Sequence, residues 1–128
     1  MQPLRFRYWW LSGGILLVAM VLYVMVIPVG GGLVTRFGDK FGHFIAFFAL
    51  MSWFCGVFLR GKWLWVAVAL AALGIAIELI QGQLSYRSAE LADGVYDCIG
   101  IGVAWIGAWL GLGQWALLIE SWWPVRLG

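Results

Sequence analysis

Three short polar groups carry most of what this chain could do chemically: Asp39-Lys40-x-x-His43, Glu78-x-x-Gln81 followed by Arg87, and Asp93-x-x-x-Asp97. On a helix, residues three or four apart share a face, so each group can turn its polar atoms one way. Histidine and buried carboxylates are common proton carriers, which makes His43 and Glu78 the candidate acid or base groups. Arg87 and Lys40 suit another task, holding a phosphate, because a guanidinium fork matches it bidentately. The carboxylates and Gln81 would then recognise amines or hydroxyls. The candidate ligand-binding set is therefore Asp39, Lys40, His43, Glu78, Gln81, Arg87, Asp93 and Asp97. A purely structural network stays open beside these readings. In it Arg87 pairs with Asp93 or Glu78, and Lys40 with Asp97, since buried ions are stable only when paired. One histidine without further His or Cys ligands is a poor zinc site, although an oxygen-rich cation site stays open. No cofactor or metal is expected.

What surrounds these groups is lipid-like. The chain has 128 residues, 64% of them hydrophobic and only 11% charged. A soluble domain carries roughly 25% charged residues. The reading is an all-α polytopic membrane protein, a single domain over residues 1–128. Ionisable groups at membrane depth are costly and mark function by default. The net charge of +2 is too slight and scattered to point to nucleic acid.

Charge-free stretches give four spans, at about residues 8–27, 40–59, 63–81 and 91–112. Each is near the roughly 20 residues that cross the hydrocarbon core, and helices alone satisfy the backbone there. A Trp-rich segment from Gly113 onward reads as interfacial. Arg5 and Arg7 precede the first span, which is of spanning length and has no small-x-small cleavage site after it, so it reads as an uncleaved anchor. A cytoplasmic N-terminus puts Arg5, Arg7, Arg60, Lys62 and Arg126 inside, against Arg36, Lys40 and Arg87 outside. Trp9, Trp10, Trp63, Trp65, Trp122 and Trp123 would anchor at the inner interface. Both termini are then cytoplasmic, and the three polar groups share the outer face. Glu78 and Asp97 should lie deepest, about one turn below the surface. Small residues on the third and fourth spans predict that these two helices pack most closely, with the aromatic second helix closing around them.

Other features rank lower. Cys55 and Cys98 fall on different helices toward opposite faces and read as buried small hydrophobes. Gly30-Gly31-Gly32 lacks a P-loop lysine and reads as a turn. Tyr96 reads as an interfacial polar tip, Ser85 has no evident base, and Phe44, Phe47, Phe48 and Phe54 read as packing.

In the order and spacing of these residues, the chain resembles the VanZ-like family of small bacterial integral membrane proteins. The resemblance rests on Asp39, Lys40 and His43, on Glu78 and Gln81, on Arg87, and on Asp93, Asp97 and Gly100. It covers roughly Asp39 to Leu112. One position departs, since the family's usual Asn is Asp97 here, exchanging an amide for a potential charge. The resemblance implies a bacterial cytoplasmic membrane protein linked to resistance to the glycopeptide antibiotic teicoplanin. Two functions are carried forward: binding of a membrane lipid or lipid-linked envelope precursor, or intramembrane enzymology on a lipid headgroup or lipid-linked sugar. A transporter would need oligomerisation, because four short helices leave little room for a pathway; homo-oligomerisation is an open expectation.

Overall fold

The computed structural model describes residues 1–26, 33–84 and 91–123, with side chains from residue 40 onward in the second stretch. Five helices follow one another: α1 (Arg7–Val26), α2 (Leu33–Val57), α3 (Trp63–Gln83), α4 (Leu91–Trp109) and α5 (Trp115–Trp122). Short 3-10 turns at Arg60–Lys62 and Leu112–Gln114 join α2 to α3 and α4 to α5. The first four helices are long and apolar enough to cross a membrane. The chain is an all-α, multi-pass membrane protein built on a four-helix bundle. Its outer surface agrees, with Leu16, Tyr23, Ile75, Leu79, Ile106 and Leu110 all exposed. In lipid such side chains need no cover, so the buried stripe of each helix is narrow.

Helix α2 begins at Leu33, while its stretch apolar enough to span is Lys40–Val57, starting where the sequence puts it. One boundary does differ from the sequence expectation. Helix α4 stops at Trp109. There the amide of Gly111 bonds back to Ala108 O at 3.2 Å, and Gly111 takes φ +113°, a backbone state that L side chains rarely adopt.

The packing order also differs. The closest pair is α2 with α4, not α3 with α4. Gly100 explains it: a Cβ there would stand 2.5 Å from Phe44 O and 3.0 Å from Phe48 N. Backbone meets backbone at this crossing, as small residues permit between lipid-embedded helices. Phe47, Leu50, Met51 and Cys55 of α2 pack in the same core with Ile101, Ala104 and Ala108 of α4. Cys98 by contrast is exposed, so only one of the two cysteines is the buried hydrophobe expected. Phe47 is packing, as expected, and is fully buried.

At one end of the bundle, indoles tie helix termini together. Trp63 Nε1 donates to Cys55 O at 3.1 Å and to Phe58 O at 3.0 Å, satisfying carbonyls left over at the end of α2. Trp53 Nε1 donates to Trp10 O, and Trp115 Nε1 to Ser52 O. The Trp115 ring lies against Gly56, where any side chain would meet it. Trp9, Trp65, Trp122 and Trp123 remain exposed, while Trp63 is buried and Trp10 half-buried. The tryptophans thus divide into surface indoles and internal ties, which composition alone does not separate.

The segment from Gly113 to Trp123 is tied back to the start of the chain. Glu120 on α5 accepts from Arg5 N at 2.7 Å, from Phe6 N at 2.9 Å and from Trp10 Nε1 at 2.8 Å. A carboxylate here meets amide donors that the start of α1 leaves unpaired. Burial pushes the Glu120 carboxyl up, but the Phe6 and Arg5 amides, the Trp10 indole and the Arg5 charge more than offset it, leaving it below its ordinary 4.5. A lowered folded-state value means that this stabilisation is complete above the ordinary value and fades as pH falls through the folded one. Glu120→Gln should lower stability at neutral pH by on the order of 1–2 kcal/mol, since its NH2 would face donors at a partly screened site. Thermal unfolding across pH checks this: the variant should also lose part of the wild type's decline below pH ~4.5.

Candidate functional site

At the opposite end, three of the predicted polar residues meet. Spacing places His43 on the buried face of α2, one turn before Phe47, and Asp93 and Asp97 on one face of α4. His43 Nδ1 and Asp97 Oδ1 lie 2.7 Å apart. Both residues are essentially sealed, at 1% and 2% exposure. The short contact holds the imidazole in one orientation, with Nδ1 toward Asp97. His43 Nε2 then faces Asp93 Oδ2 at 3.8 Å, an ion-pair distance rather than a hydrogen bond. The α2–α4 crossing at Gly100 sets this geometry, one turn beyond both His43 and Asp97.

Helix α3 supplies the other wall. Gly74 has no side chain, and Asp97 Oδ2 fills the space: a Cβ on Gly74 would lie 2.7 Å from that oxygen. The relation is reciprocal. Glu78 on α3 rests against Gly94 on α4, where a Cβ would lie 3.2 Å from Glu78 Oε1. Each helix therefore offers a glycine to the other's carboxylate. Gln81 Nε2 donates to Met25 O at 2.9 Å, closing the last turn of α1. By helical rise, Glu78 lies about 7 Å from the end of α3, and Asp97 about 9 Å from the start of α4. Asp97 also reaches Gly74, about 13 Å from the end of α3.

Not every polar atom is satisfied. Among the described residues, Glu78 Oε1, Gln81 Oε1 and Asp97 Oδ2 are buried without a hydrogen-bond partner. Lys40 is half-buried on α2, one turn before His43. Asp39 belongs to α2, but its side chain lies outside the described residues, as do Arg36, Ser85, Arg87, Glu90, Arg126 and the Gly30-Gly31-Gly32 run. The structure thus brings His43, Asp93, Asp97 and Glu78 to one end of the bundle, with Gln81 one turn from Glu78. Among the described residues, no three His, Cys, Asp or Glu side chains are disposed to hold a metal ion.

Two contributors had no place in the sequence reading. Gly74 and Gly94 look like ordinary small residues, yet each is where a carboxylate enters the neighbouring helix. Their signal was present: Gly74 stands four before Glu78, and Gly94 three before Asp97. Glu120 was also missed, although it is the lone acid after Asp97.

In chemical terms, the site is a fixed imidazole–carboxylate pair with a second carboxylate near its other ring nitrogen. Further acceptors are stacked beside it on α3. Such an arrangement can orient a polar group or exchange a proton with one. No family model, curated protein or solved structure matches the chain.

Proposed function

We propose that this chain is a VanZ-like integral membrane protein of the bacterial cytoplasmic membrane, with both termini inside and its polar site toward the outer face. There it binds the headgroup of a membrane lipid or lipid-linked envelope precursor. The reading is supported above all by the three buried oxygens that accept no hydrogen bond. A self-sufficient structural network would leave none, since each orphaned acceptor costs about 1–3 kcal/mol. A polar guest at this end would recover that cost. The order and spacing of the motif residues support the family, and the Lys and Arg asymmetry supports the orientation.

A second reading is favoured by one observation, the 2.7 Å His43–Asp97 pair. A carboxylate fixing one imidazole nitrogen orients the ring, and an oriented imidazole can carry a proton as acid or base. With Glu78 at the same end of the bundle, the site would then modify the headgroup it binds.

One experiment separates these readings. The full-length protein in nanodiscs is incubated with a lipid-linked disaccharide precursor, and in parallel with teicoplanin, and followed by mass spectrometry. Binding predicts retained, chemically unchanged precursor, with His43→Ala weakening retention by at least about tenfold. Enzymology predicts a mass shift that Glu78→Gln abolishes while retention persists. Precursor retained equally by wild type and His43→Ala, without turnover, sinks both. Cysteines at Gly61 and Ser85, in a background without Cys55 and Cys98, fix the face. Labelling of Ser85 only from the cytoplasm would remove the envelope ligand.

A further inference from the structure

Resting on the reading of this end of the bundle as a headgroup site, the next question is what chemistry the headgroup must carry. The unpartnered atoms answer it by kind. Glu78 Oε1, Gln81 Oε1 and Asp97 Oδ2 are all sp2 oxygens, and none is a donor.

Their orientations are fixed by independent contacts. Met25 O can only accept, so the nitrogen of the Gln81 amide must face it and the oxygen must turn away. Asp97 Oδ1 is held by His43, which leaves Oδ2 against Gly74. The Glu78 carboxylate is braced by Gly94, with both oxygens within 3.5 Å of where a Cβ would stand. On α3 the sequence Gly74, Glu78, Gln81 advances four and then three residues, so all three lie along one side of the helix. The acceptors therefore stack from the His43–Asp97 pair toward the end of α3, over about 10 Å. Gln81 is uncharged, so the shared property along this stack is the acceptor lone pair and not acidity.

A bare phosphate brings only more acceptors and would be repelled here. A quaternary ammonium brings charge but no N–H. We propose that the occupant presents N–H or O–H donors, as a primary ammonium or hydroxyl-bearing headgroup, to Glu78 Oε1 and Gln81 Oε1.

Lipids of identical acyl chains test this, because they differ in the headgroup alone. Phosphatidylethanolamine carries a primary ammonium, phosphatidylglycerol two hydroxyls, and phosphatidylcholine a cation stripped of donors. Binding of each to the delipidated full-length protein is titrated by native mass spectrometry. The ethanolamine and glycerol lipids should bind about tenfold tighter than the choline lipid, the worth of a hydrogen bond to a charged acceptor. Glu78→Gln and, independently, Gln81→Met should each reduce that preference to about twofold or less. Circular dichroism shows which variants are folded. Choline lipid bound as tightly as ethanolamine lipid overturns the donor requirement but leaves a headgroup site standing. A preference unchanged in the folded variants overturns it too, by placing recognition elsewhere. If no lipid binds and His43→Ala does not alter precursor retention, the underlying headgroup reading fails as well.

Discussion

Asp97→Ala should destabilise the bundle by about 3–5 kcal/mol, and adding His43→Leu should recover most of that loss. The single change removes the Asp97 carboxylate that lies 2.7 Å from Nδ1 of a sealed imidazole. Asp93 cannot take its place without movement, since its Oδ2 lies 3.8 Å from the other ring nitrogen. The second change removes the stranded polar group and returns apolar volume beside Phe47 and Leu50, both fully buried. Buried ion pairs behave this way in general: breaking one is costly, and exchanging the whole pair for apolar groups is close to neutral. Unfolding of the two single variants and the double variant in nanodiscs completes the cycle. Simple additivity would mean that the 2.7 Å contact holds nothing together. The double variant matters equally for function. It should be folded yet unable to retain the lipid-linked precursor, which separates what the pair does for the fold from what it does for a guest.

How much of this could be read from the sequence depends on which physical signal each feature leaves. The four spans were legible because long charge-free stretches are nearly obligatory in lipid-crossing helices. Convergence of His43, Glu78, Asp93 and Asp97 was legible too. It follows from alternating topology alone, which brings the start of α2, the end of α3 and the start of α4 to one end. Partner identity was not. A purely structural network, one of the readings the sequence left open, would pair Lys40 with Asp97; the structure sets Asp97 against His43. Opposite formal charge was the available cue, but rotation about the α2 axis decides which residue faces α4. That rotation is set by Gly100, and a glycine announces a close approach without naming what approaches.

The same gap explains the tryptophans and Glu120. Indoles near helix ends read as interfacial anchors, and Trp9, Trp65, Trp122 and Trp123 are exposed as anchors would be. Trp10, Trp53 and Trp115 instead gather with ring centroids 5.2–5.7 Å apart. Their N–H groups are spent on Glu120, Trp10 O and Ser52 O. Nothing local distinguishes the two sets. The tie forms only because α5 folds back toward the start of α1, a long-range event over more than a hundred residues of chain.

Among the described glycines, Gly100→Ala should be the most damaging single-methyl change, lowering stability by about 3 kcal/mol or more. Its new Cβ would stand 2.5 Å from Phe44 O and 3.0 Å from Phe48 N. These are backbone atoms of a continuous helix, so no side chain can swing aside, and α2 must move away from α4. His43 precedes Phe44 directly and Asp97 lies one turn before Gly100, so the displacement is delivered to the 2.7 Å pair. Precursor retention should fall with stability. Gly102→Ala, on the same helix, is the control: a Cβ there meets nothing within 4 Å. By helix propensity it should be neutral to favourable, by up to about 1 kcal/mol. Thermal unfolding of both variants in one lipid composition checks the contrast. Equal midpoints would show that α2 and α4 do not cross at Gly100, and the placement of His43 against Asp97 would fall with that crossing. A large separation between midpoints, with retention lost only in Gly100→Ala, ties the site to that one backbone approach.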